Sequence, residues 1–132
     1  MKAADGPYVI DASALLAVLH REAGADLVVP LLPRAWMSSV NWSEVVQKAM
    51  ARGVAVGSRM RRDVEAIGVV IVPFEPDDAE RAARLWQSAP GAGLSLGDRA
   101  CLALAQHRDA VAVTADRAWA ALRLDVAIKV VR

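Results

Sequence analysis

The feature that most restricts this chain is a series of short apolar runs, rich in β-branched residues, set between stretches of helix length. Tyr8-Val9-Ile10, Ala35-Trp36-Met37, Val69-Val70-Ile71-Val72, Val111-Ala112-Val113 and Ile128-Lys129-Val130-Val131 are the candidate strands. Short, near-continuous apolar runs suit strands that are covered on both faces. Between them the sequence predicts helices over 14–20, 25–32, 41–51, 57–67, 76–89 and 95–107, and a short one over 117–122. Pro33, Gly53 and Gly68 stand where three of these should stop, and Pro76 where another should begin. Strands alternating with helices specify an α/β fold, here a three-layer α/β/α sandwich around a central, mainly parallel sheet of about five short strands. The 132 residues suit one domain over 1–132.

In a parallel sheet of this kind, ligands gather beyond the carboxyl ends of the strands. Asp11 directly follows the first run and Asp116 closely follows the run at 111–114. Asp98 shares a helical stripe with Cys101, Leu102 and Ala105, at i+3, i+4 and i+7, and that stripe should face inward. No lysine or arginine lies on the stripe to neutralise it, and an unpaired buried carboxylate is costly. Each acid also has a purely structural reading. Asp11 and Asp116 can cap the helices that follow them. Asp98 stands three residues after Ser95, and Glu44 three after Asn41, both at capping-box spacing. Glu44 also precedes Lys48 by four, an ordinary surface pairing. Convergence tips the balance towards chemistry. Two carboxylates ~5 Å apart repel by roughly 3 kcal/mol at an effective dielectric of 20, so a cluster of them calls for a cation. All-oxygen donors suit Mg²⁺, with Mn²⁺ as a substitute. Zinc is disfavoured, because there is one cysteine and because His20 and His107 lack ligand spacing. Both histidines read as helix C-terminal surface residues. Cys101, on an apolar stripe, reads as inert.

Composition sets the remaining bounds. A single cysteine excludes an internal disulfide framework. Residues Met1 to Pro7 carry no apolar leader, and no run approaches the ~18 residues of a membrane span, so a soluble, cytoplasmic protein is expected. A hydrophobic content of 55% is high for this size and predicts a buried interface, with a homodimer through Leu27–Leu32 and Val45–Met50. A net charge of +1 provides no global field to attract a polyanion. Phosphate contacts would need a local patch, for which Arg52, Arg59, Arg61 and Arg62 form the densest candidate.

These residues resemble a known family. Tyr8-Val-Ile-Asp11-Ala-Ser13-Ala-Leu-Leu-Ala is similar to the opening of a PIN domain. Ser38-Ser-Val-Asn41-Trp-Ser-Glu44-Val, Leu94-Ser95-Leu-Gly-Asp98 leading into Leu102-Ala-Leu-Ala105, and Val113-Thr114-Ala115-Asp116 are similar to its second, third and fourth acidic motifs. The order and spacing agree from Tyr8 to Val131. The size resembles VapC-type toxins of bacterial toxin–antitoxin pairs. The resemblance implies a Mg²⁺-dependent endoribonuclease that hydrolyses RNA with a metal-activated water. It also implies a cognate antitoxin and a dimer. It places Asp11, Glu44, Asp98 and Asp116 as metal-binding catalytic acids, with Ser13, Asn41 and Thr114 in support.

Three other readings compete. A phosphoacceptor signalling domain also puts aspartates at strand ends, but it wants paired early acids and a lysine at a late strand end. Here Asp5 and Asp11 are six apart and Lys129 lies inside the last strand. A PIN-like module without activity is opposed by four intact acids. A PIN nuclease of RNA processing, lacking an antitoxin, is separated from a toxin by the neighbouring reading frame.

Overall fold

The computed structural model describes residues 7–132, so Asp5 and most of the N-terminal stretch lie outside the described residues. The strands are β1 (Tyr8–Ile10), β2 (Ala35–Ser38), β3 (Val70–Val72), β4 (Val111–Thr114) and β5 (Ala127–Val130). The helices are α1 (Ala12–Leu19), α2 (Ala25–Val28), α3 (Ser39–Ala51), α4 (Ser58–Ile67), α5 (Pro76–Ser88) and α6 (Leu96–Arg108). All strand pairs are parallel, in the order β3-β2-β1-β4-β5. Register places Val9 beside Trp36 on one side and Ala112 on the other.

The pleat divides the strand residues between two cores. Ile10, Ala35, Met37, Val111 and Val113 pack with Leu15, Leu16, Val28, Leu32, Val45 and Val64, under α1 to α4. Val9, Trp36, Ala112 and Ile128 pack with Ala82, Leu85, Leu102, Leu104 and Trp119, under α5, α6 and the 3-10 turn at Arg117–Ala121. The expected three layers follow. Strands β1 to β3 step outward in one direction with their helices on one face. The chain then returns to pair β4 against the far side of β1. Right-handed crossovers that reverse direction must use the opposite face, which is where α5 and α6 lie. The reversal makes the carboxyl ends of β1 and β4 a topological switch point.

The helix expected over 25–32 differs. It is a single α-helical turn, α2, followed by a 3-10 helix over Val29–Arg34 that passes through Pro33. Pro30 has no N–H to continue an α-helix. Three residues per turn place Pro30 and Pro33 on one exposed side, while Leu31 and Leu32 are buried. The segment at 117–122 is likewise 3-10 rather than α. Gly68 closes α4 at φ +123°, and a Cβ there would stand 2.6 Å from Pro33 Cα, so glycine is required. Much of the apolar content at 27–32 and 45–50 fills the protein's own core through Val28, Leu31, Leu32, Val45 and Ala49, whereas Leu27, Val29 and Met50 stay about half exposed.

Candidate metal centre

Asp11 is the first residue beyond β1. Its backbone N–H extends the sheet by donating to Val113 O at 3.0 Å, and its side chain caps α1 by accepting Ala14 N at 2.9 Å. Thus α1 begins at Ala12, and Ser13 lies in its first turn rather than in a preceding turn. From there Ser13 Oγ donates to Asp11 Oδ1 at 2.8 Å, and Thr114 Oγ1, at the end of β4, donates to Oδ2 at 2.5 Å. The same hydroxyls accept Ala115 N and Asp116 N at 2.9 and 3.0 Å. Each hydroxyl therefore spends its one proton on Asp11 and is aimed by the backbone that follows β4.

Asp11 is 5% exposed, and burial lifts its carboxyl from 3.8 to about 6. The hydrogen bonds from Thr114, Ala14 and Ser13 oppose that rise, and the charge of Asp98 adds to it. Replacing Thr114 by valine keeps the shape but strips one carboxylate oxygen and the Asp116 N–H of their partner. A loss of about 2 kcal/mol at pH 7 is expected, shrinking towards pH 4, where the carboxyl is neutral. Urea denaturation at the two pH values checks this, and equal losses at both would refute it.

The other three acids arrive from separate elements. Asp98 occupies the first turn of α6, where its Oδ2 accepts Ser95 N at 2.9 Å while Ser95 Oγ accepts Asp98 N at 3.1 Å, a complete capping box. It is half-buried at the helix mouth rather than inward-facing, whereas Cys101, Leu102 and Ala105 do face the core. The inward carboxylate that the sequence places at Asp98 is in fact Asp11. Asp116 caps the 3-10 turn through Ala118 N at 3.0 Å. Glu44 lies inside α3, which is capped by Ser38, so Asn41 and Glu44 are not a capping box. Instead Asn41 Nδ2 donates to Glu44 Oε1 at 2.9 Å and to Gly97 O at 3.0 Å, tying α3 to α6. Asp11, Glu44, Asp98 and Asp116 line one cleft of about 150 Å³, together with Ala12, Ser13, Leu16, Asn41 and Lys48. The structural and chemical readings are therefore compatible: the caps made by Asp98 and Asp116 each use one carboxylate oxygen, and both residues still line the cleft.

Beneath this cleft lies Cys101, fully buried, its Sγ 3.8 Å from Val9 O. Burial, then the charges of Asp11, Asp98 and Glu44, push its thiol well above the usual range, which keeps it protonated and inert. Among the described residues, no three His, Cys, Asp or Glu side chains form a ready-made cage. Mg²⁺ does not need one, since it takes one or two carboxylates and fills its octahedron with water. The donor set fits such a hydrated ion. The Asn41 amide has its orientation fixed by two acceptors at Nδ2, and its Oδ1 is buried with no donor, a lack that ordered water can supply.

Two residues of the site were not singled out in the sequence. Lys48 reads there as a surface partner of Glu44, yet it lines the cleft. The signal was present, because i+4 from Glu44 is the same helix face. Gly97 carries no motif signal, but a Cβ on it would run into the Glu44 carboxylate. The candidate arginines separate. Arg52 ends α3 and pairs with Glu22 at 3.5 Å. Arg61 pairs with Glu65 on α4, where Arg59 and Arg62 are exposed. His20 caps α1 at its C-terminus and is half-buried; His107 is exposed in the last turn of α6.

A five-stranded parallel sheet with carboxylates collected at its switch point defines an α/β protein suited to holding a hard cation. The chain belongs to the PIN domain family, whose profile matches residues 8–124. No curated protein sequence matches it. Among solved structures it is similar to a toxin–antitoxin complex from Klebsiella pneumoniae (23% identity, 88% of this chain and 92% of that one, TM-score 0.71). It is similar also to VapC20 of Mycobacterium tuberculosis, titled a sarcin-ricin-loop-cleaving toxin (18% identity, 92% and 99%, TM-score 0.69). A third is DNA-bound VapBC from Salmonella typhimurium (17% identity, 92% and 96%, TM-score 0.64). At these identities the likeness is one of fold. Among the described residues, no helix is long and apolar enough to cross a membrane.

Proposed function

We propose that this protein is a Mg²⁺-dependent endoribonuclease and the toxin of a toxin–antitoxin pair. The observation that carries the reading is the meeting of all four motif acids on one cleft at the switch point. Toxin–antitoxin proteins among structures of the same fold, one of them a sarcin-ricin-loop-cleaving toxin, support it. A divalent ion, Mg²⁺ or Mn²⁺, supplies charge against the phosphate and renders water nucleophilic at neutral pH. Asp11, Glu44, Asp98 and Asp116 are the residues that would hold it. Ser13 and Thr114 fix the Asp11 carboxylate, and Asn41 fixes that of Glu44. A carboxylate facing the cleft orients the attacking water and takes its proton.

Attack by water needs no 2′-hydroxyl. RNA fragments made in Mg²⁺ should therefore carry 5′-phosphate and 3′-hydroxyl ends, read by end-labelling and mass spectrometry. Finding 2′,3′-cyclic phosphate, or equal cleavage in excess EDTA, overturns the mechanism. A cytoplasmic location goes with such a target. The cognate antitoxin should be encoded beside this gene, and co-purification with the product of that frame tests the pairing. A homodimer would cover Leu27, Val29 and Met50, which are exposed by 47%, 50% and 53%; light scattering that returns a monomer at high concentration refutes it.

A further inference from the structure

Beside the acidic cleft lies a second one of opposite character. It has a volume of about 360 Å³ and is lined by Ser13, Leu16, His20, Glu22, Lys48, Ala51, Arg52 and Arg132. Ser13, Leu16 and Lys48 belong to both clefts, so the two form one continuous groove. Two of the cations, Arg52 and Arg132, share one acidic partner. Glu22 Oε2 forms an ion pair with Arg52 Nη2 at 3.5 Å, and its Oε1 accepts a hydrogen bond from Arg132 Nη2 at the same distance. Arg132 is further tied by Nε donating to Ala23 O at 3.2 Å. One carboxylate thus braces two guanidiniums, and with Lys48 the cleft keeps an excess of positive charge. Arg52 also sits at the carbonyl end of α3, where a cation is favoured.

We propose that this basic cleft holds a phosphate of the RNA strand next to the one that is cut, with Lys48 and Arg52 as its contacts. The inference rests on the ribonuclease reading above and deepens it. A net charge of +1 gives the protein no overall pull on a polyanion, and the four acids repel one. Affinity for the strand must then come from cations adjoining the acids. Arginine and lysine supply it by neutralising phosphates and releasing counterions, at a cost in salt sensitivity. The basic run at 59–62 has no part in this site, because Arg59, Arg61 and Arg62 belong to α4, which contributes nothing to either cleft.

The test uses binding of a fluorescent single-stranded RNA in Mg²⁺ over a range of NaCl concentrations, in an Asp98→Asn background that blocks cleavage. Lys48→Ala and Arg52→Ala should each weaken binding several-fold, and the pair at least tenfold. Loss of the one phosphate contact in the double variant should flatten the slope of log affinity against log salt by about 0.7, and each single variant should flatten it by part of that. In the cleaving protein the same changes should raise KM. Arg84→Ala, which removes the same charge from α5 in the opposite layer, should change neither. Cleavage by the wild type with slopes unaltered in the Lys48 and Arg52 variants overturns the phosphate site and leaves the ribonuclease standing. Unchanged RNA binding with weakened antitoxin binding overturns it too, and makes the cleft a protein-docking surface. Wild type that neither cleaves nor binds RNA overturns the ribonuclease reading, and this site with it.

Discussion

Asp11→Asn should abolish RNA cleavage, by at least ~10³-fold, or about 4 kcal/mol of transition-state stabilisation, while making the metal-free protein more stable at neutral pH. Both effects come from one buried carboxyl. Burial holds it at about 6, against 3.8 for an ordinary aspartate. The folded state therefore binds the proton more tightly than the unfolded chain. Below about pH 3 the group is neutral in both states and costs nothing. As pH rises from 4 to 6 the unfolded chain ionises first, and stability falls. Above 6 the full penalty applies, about 3 kcal/mol for a rise of two units. Asparagine removes it, less about 1 kcal/mol for turning one hydroxyl to face an amide N–H. Urea denaturation in EDTA should show the variant ahead at pH 7 and slightly behind wild type at pH 3, where the ionisation penalty is gone. Added Mg²⁺ should then stabilise wild type and leave the variant unmoved, since only an ion bound to the native state shifts the equilibrium. Like-charge repulsion is the smaller part of this, so Asp98→Asn should stop cleavage with little gain in stability. A variant Asp11→Asn that cleaves within tenfold of wild type would falsify the assignment.

The second large effect should come from a residue without functional groups. Gly97→Ala adds one methyl at the point where α6 lies against the Glu44 carboxylate. The obstructing atoms are the far end of a flexible side chain, so Glu44 swings away and the fold survives. Alanine is also the better helix former, by up to about 1 kcal/mol. Stability should hold or rise slightly, while cleavage falls by about 10²-fold, as a misplaced carboxylate costs. A double-mutant cycle separates positioning from general damage. In a Glu44→Gln background, Gly97→Ala should cost less than a further twofold. Losses that simply multiply mean that Gly97 acts through something other than Glu44.

Much of this was legible in the sequence because it depends on local chemistry. Short β-branched runs such as Val111–Val113 suit strands buried on both faces, and their alternation with helices points to a parallel sheet. The same local rules found Asp11 and Asp116 at strand ends and the Ser95–Asp98 capping box. They failed where a short-range rule was incomplete: at Pro30, which diverts the 25–32 helix, and at Asp98, whose stripe points inward although its first-turn side chain does not. What the sequence by itself determined is therefore which elements form and which acids stand at their ends. Only the tertiary structure decided how those ends meet. The order β3-β2-β1-β4-β5 brings residues 11, 44, 98 and 116 to one cleft, buries Asp11 while leaving Asp98 half in water, sets Gly97 against Glu44, and separates Arg52 from the arginines of α4. The reason is physical. Helix and strand formation are governed by neighbours a few residues away, whereas burial, electrostatic repulsion and steric fit act through space between residues that the chain keeps far apart.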